Sequence, residues 1–175
     1  MCQATLPGTL PAMDDEVQKS RDDMELYTLL GLMVRSAAEL ELRLQLIAIN
    51  LSESHYAHLW IHGASGGQAT KLIRELAKAN PVVTEASQAE ITDLMKEIDA
   101  ALTRRHGYVH GAWLVDPLAE TYQAMRFTKG NTSPRFDPMS KEDLSDLTHT
   151  LARLLEGVTD WLVKHVSVNG SQFEN

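Results

Sequence analysis

The 175-residue chain predicts an all-α fold, an up-and-down helical bundle with one small inserted β-hairpin. Three observations carry that expectation. Leu26, Leu30, Met33, Ala37, Leu40, Leu44, Ile47 and Leu51 recur at alternating steps of four and three, the seam of one long helix. Leu144, Leu147, Leu151, Leu154, Leu155, Val158, Trp161 and Leu162 repeat that spacing near the other end. Between them AWLVDPLAETYQAMRFT, from Ala112, alternates weakly around a DPLAE turn, as a short hairpin does.

In chain order, MCQATLPGTLPAM has two prolines, a glycine and no periodicity, so residues 1–20 read as a flexible tail. A single domain over 21–167 follows, and 168–175 form a second flexible tail. The first helix covers 22–52. Leu32, Leu42, Leu46 and Ile49 lie off its seam, which predicts a second buried surface, with a partner subunit as one candidate. SESHYAHLWIHGASGGQ then gives a short helix stopped at Gly63 and a glycine-rich turn. Residues 68–79 form the next helix, ended by Pro81, and 85–105 a longer one with Ile91, Leu94, Met95, Ile98 and Leu102 on one face. KGNTSPRFDPM reads as a loop. Ser140, with Asp143 three residues on, then caps a last helix that runs to about Val166.

Composition narrows the function. No apolar run approaches the roughly 20 residues of a membrane helix, and no basic segment precedes an apolar one at the start, so a cytoplasmic protein without membrane contact is expected. Cys2 is the single cysteine, which leaves neither a disulfide framework nor a thiolate zinc site and fits a reducing compartment. The net charge of −8 argues against a broad grip on nucleic acid. Its distribution is uneven. Residues 14–25 carry six acids against two bases, whereas 101–136 carry five bases (Arg104, Arg105, Arg126, Lys129, Arg135) against Asp116 and Glu120. A small anion or a short run of RNA phosphates suits the second region; ordinary surface charge is the competing explanation.

That basic region opens with TRRHGYVHGAW, residues 103–113, which sets two arginines, two histidines, a tyrosine and two glycines where a helix should be ending. Arg105 is three residues past Leu102 and shares the apolar stripe, while Arg104 turns about 100° away toward solvent. A guanidinium facing inward needs a partner, because desolvating it alone is costly. The ordinary structural account is that arginine complements the helix C-terminus and Gly107 caps a turn.

RHGYVHG, Arg105 to Gly111, resembles the R-x4-6-H signature of HEPN domains, with Arg105, His106 and His110 in the three motif places. The placement after a penultimate bundle helix, with another long helix to follow, is similar too. The resemblance implies an HEPN-like bundle and a metal-independent endoribonuclease of toxin or phage-defence type that needs no cofactor. Its active site would be composite, at a homodimer interface, and an antitoxin or other partner protein would regulate it. The substrate 2′-hydroxyl would attack the adjacent phosphate. His110 would be the acid or base, since imidazole titrates near pH 6.5. Arg105 would hold the phosphoryl oxygens with its planar fork of donors, and His106 would orient substrate or share the proton transfer. Arg104, Tyr108 and Arg126 are the candidate substrate-binding residues, and Glu41, in the row Val34, Glu41, Ala48, is the candidate partner of Arg105. One toxin branch carries a tyrosine two residues after the motif histidine as the target of nucleotide transfer; this chain departs from that pattern with Ala112. Some HEPN-like proteins keep the fold without nuclease activity, so a catalytically silent module binding RNA, a nucleotide or a partner protein is the alternative.

His55, His58 and His62, spaced three and four apart, form a competing constellation that could face a transition metal from one helix. Three imidazoles on one short helix lack a second element to complete the coordination sphere, so no metal is expected there.

Overall fold

The computed structural model describes residues 13–116, 121–127, 130 and 132–165. Four long helices make the bundle: α1 (Met13–Ser52), α3 (Gly66–Ala79), α4 (Glu85–His110) and α5 (Lys141–His165), with a single turn, α2 (His58–Ile61), after α1. Each long helix packs on two others in a ring, α1 on α3 and α5, and α4 on α3 and α5. The apolar seams lie along the inside of this ring. Met33, Ala37, Leu40, Leu44 and Ile47 of α1 are fully buried, as are Ile91, Met95 and Ile98 of α4 and Leu144, Leu147, Leu151, Leu154 and Val158 of α5.

Side chains at the helix starts do the capping that the spacing implies. Ser65 and Gln68 form a reciprocal capping box on α3. Ser140 and Asp143 do the same on α5: the Asp143 amide donates to Ser140 Oγ at 3.0 Å and the Ser140 amide to Asp143 Oδ2 at 3.1 Å. The shorter carboxylate therefore replaces the usual glutamate.

Three expectations need correction. Helix α1 already includes residues 13–20, which the sequence assigned to the tail, because no proline or glycine follows Pro11 until Gly31. Residues 1–12 and 166–175, where the rest of the two tails was expected, lie outside the described residues. Helix α4 continues through Gly107 to His110 and ends on Gly111, since one glycine inside a long helix costs only about 1 kcal/mol. The expected hairpin is a three-stranded antiparallel meander of β1 (Ala112–Asp116), β2 (Thr121–Arg126) and β3 (Arg135–Met139). The sequence concealed β3 because Pro138 sits inside it, and an edge strand tolerates a proline that a central strand does not.

The register aligns Ala112, Met125 and Phe136 in one row, and Trp113, Ala124 and Asp137 in the next. Alternation then gives the sheet two faces. Ala124 and Met139 are buried against the bundle, with Trp113 and Tyr122 packed beside them. Side chains from α1 pin this inner face. Tyr122 Oη donates to Asp23, Lys141 Nζ reaches Asp22 at 3.1 Å and Glu25 at 2.5 Å, and the Tyr27 ring stacks on Trp113. The bond to Asp23 holds the Tyr122 phenol protonated and pushes its pKa up to about 12. Part of the acidic run on α1 is thus spent on its own sheet and helix. No helix among the described residues is long and apolar enough to cross a membrane.

Candidate functional site

The last turn and a half of α4 carries the histidines. His106 and His110 stand four residues apart, so they occupy one face, and their ring centroids lie 4.4 Å apart with the planes tilted by 47°. Both are exposed. Arg126, at the end of β2, comes over the same turn: a Cβ placed on Gly107 would lie 3.6 Å from its guanidinium carbon and 3.7 and 3.8 Å from its two terminal nitrogens. These are ordinary van der Waals distances, so the guanidinium lies directly on the helix at Gly107, beside the two imidazoles. The approach is fixed at Gly111, where an added Cβ would meet the Gly107 carbonyl oxygen at 2.9 Å and Ala124 Cβ at 3.0 Å. Helix end and sheet are in contact there, and that contact sets the distance between His110 and Arg126.

Asp137 of β3 holds Arg126 in place. Arg126 Nε donates to its Oδ2 at 3.0 Å, and Arg135 Nε donates to its Oδ1 at 2.7 Å. Two guanidiniums thus share one carboxylate, and a positive charge remains at this edge. Partial desolvation of a ring that stays exposed overall holds the His106 imidazole below its ordinary value, with the positive fields of His110, Arg126 and Arg105 adding to the effect. A histidine so placed is neutral near pH 7 and can accept a proton.

Arg105 keeps the inward course that its place on the apolar stripe implies. Its Nε is buried and, alone among the buried side-chain nitrogens and oxygens of the described residues, has no hydrogen-bond partner. Such an orphan is uncommon and calls for a ligand or partner group. The expected pairing with Glu41 does not form: no ion pair joins them among the described residues. The Glu41 carboxylate instead lies against the start of α3, where its Oε1 would stand 3.1 Å from a Cβ on Gly66. Arg105 and His110 are five residues apart on a continuous helix, about 140° around its axis, so one chain does not point both at a single atom. His106, one residue from Arg105, stands between the two directions.

Two of the expected substrate-binding residues do other things. Arg104, half exposed as its offset from the stripe implies, donates weakly to Tyr108 Oη at 3.5 Å and meets Asp143 at 3.4 Å. Tyr108 is buried at 6% exposure, so its ring offers little face to a substrate, and it is its backbone carbonyl that joins helix to sheet by accepting from Trp113 Nε1 at 2.8 Å. His55 precedes the single turn α2, so the three spaced histidines do not share one helix face. No cluster of three or more metal-binding side chains occurs among the described residues.

Asp137, Phe127 and Phe136 do not stand out in the sequence, and Arg135 does so only as one of five bases in residues 101–136. The signal was present: the pair Arg-Phe occurs twice, at 126–127 and 135–136, and the register sets Arg126 opposite Arg135.

No family model matches this chain, and neither a curated protein nor a solved structure matches it.

Proposed function

We propose that this chain is a metal-independent endoribonuclease of HEPN type, acting as a homodimer in a toxin or phage-defence setting. The observation that carries the reading is the His106–His110 pair in contact beside the Arg126 guanidinium. Cleavage by the neighbouring hydroxyl needs a base for the 2′-hydroxyl proton, an acid for the departing 5′-oxygen and a cation for the charge developing on phosphorus. His106, kept neutral, is the base. His110 is the acid. Arg126 supplies the cation within one chain, and Arg105, with its unpartnered nitrogen, supplies a second one from the dimer partner's side of the cleft. Leu32, Leu42 and Leu46, exposed on α1 at 45%, 55% and 39%, support a subunit interface.

The silent module that binds RNA, a nucleotide or a partner protein at the same place is the second reading, favoured by the 140° between Arg105 and His110 and by the carboxylate already on Arg126. One experiment separates the two. Purified protein is incubated with mixed RNA in EDTA, and the product ends are read by mass spectrometry. Cleavage ending in cyclic 2′,3′-phosphates, lost in His110→Ala, supports the nuclease; RNA left intact by the wild type supports the silent module.

A further inference from the structure

The sheet has a second face, which the bundle does not cover. Ala112, Leu114, Met125, Phe136 and Pro138 alternate outward by the register, and Leu114 and Phe136 are 42% and 49% exposed. Phe127, directly after β2, is 67% exposed. Two of the three phenylalanines of the chain therefore stand in water at one edge of one small sheet, each following an arginine in sequence. The same edge holds the end of α4, because Ala112 pairs with Met125 and His110 lies two residues before Ala112. By the same register Arg126 and Arg135 alternate to the face of Ala124 and Met139, so the guanidiniums, and the imidazoles beside Arg126, lie around the edge of the sheet from the Phe136 ring.

We infer that this edge and outer face form a stacking platform for single-stranded RNA, resting on the proposed nuclease reading for the choice of RNA over other ligands. Bases would lie on Phe136 and Phe127 while the backbone crosses the edge beside Arg126 and Arg135. Stacking accepts any base, because every base has a π-face, and the arginines hold the phosphates. Charge argues for this occupant. Asp137 neutralises only one of the two guanidiniums it contacts, so the edge keeps a positive charge for a phosphate. A duplex fits poorly, since its bases are already stacked on one another. The platform feeds the imidazole pair: a strand anchored by its bases on the outer face passes its next phosphate over the end of α4.

The test is fluorescence anisotropy of a labelled single-stranded 2′-O-methyl oligouridine, which lacks the attacking hydroxyl and so stays intact on the full wild-type chain. Phe136→Ala and Phe127→Ala should each weaken binding about 5- to 100-fold, the range of one lost base stack. Phe136→Tyr should restore it, and the annealed duplex should bind more weakly than the single strand. Both phenylalanines are exposed, so unchanged circular dichroism and melting will show that the variants fold. Alanine variants that bind as the wild type does, a duplex that binds as tightly, or a wild type that binds no RNA would each overturn the platform. So would loss of self-association in Phe136→Ala with RNA affinity unchanged, which would assign the face to a second copy. The nuclease reading fails separately. Tight, phenylalanine-dependent binding of a cleavable oligonucleotide that is never cut keeps the platform and removes the nuclease; cleavage with an unchanged KM in Phe136→Ala does the reverse.

Discussion

Replacing Gly111 by alanine tests the joint between the histidine helix and the sheet. Its backbone, φ −83° and ψ 149°, is open to any residue, so dihedral strain plays no part and the reduced freedom of the unfolded chain would favour alanine by about 0.4–1 kcal/mol. Space decides the sign. The new methyl would meet the Gly107 carbonyl oxygen at 2.9 Å, Ala124 Cβ at 3.0 Å and the Met125 carbonyl oxygen at 3.3 Å. Two of these are backbone atoms, one in the helix and one in the β-ladder, and neither swings aside as a side chain can. Overpacking of this kind costs about 1–3 kcal/mol. The net expectation is a loss of about 1–2 kcal/mol, or roughly 2–8 °C in Tm for a chain of this length. The displacement falls between His110 and Arg126, so RNA cleavage should drop about ten- to a hundredfold at a temperature where the variant is fully folded. Gly31→Ala is the control: nothing lies within 4 Å of its added Cβ, on an exposed stretch of α1, so the same change should stabilise by about 0.5–1 kcal/mol. Scanning calorimetry and initial cleavage rates on both proteins read the outcome. A Gly111→Ala protein that melts at or above the wild-type temperature would refute the steric account of the joint.

Other consequences can be checked together. His106 titrates below 6.5, so the general-base limb of the cleavage rate should rise below that pH, and Arg126→Gln, which removes one of the cations depressing it, should move the limb upward; proton NMR of the ring checks the same shift. In stability terms a depressed folded pKa gives a contribution fully present above pH 6.5 and lost as pH falls through the folded value, so acid should destabilise through this group. Trp161 is 1% exposed and its Nε1 donates to the Ser87 carbonyl at 3.0 Å, so Trp161→Ala should cost about 3–5 kcal/mol in urea unfolding. Light scattering at micromolar concentration should give a dimer, with an interface on the order of 1,600 Å² or more, and Leu42→Glu should dissociate it; a wild-type monomer would remove the composite cleft.

The bundle was legible because helix burial repeats. Every α1 seam residue from Met33 to Leu51 is buried, and Leu30 half-buried, because a four-three alternation keeps one stripe facing inward over many turns. Strand β3 was not legible. Five residues containing a proline and two charges carry too little alternation, and only pairing with β2 makes them a strand. At the site, residue chemistry and the inward course of Arg105 could be read from the sequence. Its pairing with Glu41 could not, because that carboxylate is drawn to the start of α3, 25 residues further along the chain. The contact between Arg126 and Gly107 and the sharing of Asp137 by two arginines depend on register between distant segments, which local patterns do not encode.

The central claim is that His106 and His110 work as one acid–base unit, and single-turnover cleavage by His106→Gln, His110→Gln and the double variant tests it most directly. Each single change should lower the rate about 10²–10⁴-fold. The double variant should be little worse than the poorer single one, because groups that act as a unit are lost together. Losses that multiply would show two independent residues, and wild-type rates in either single variant would contradict the assignment of that histidine to the reaction.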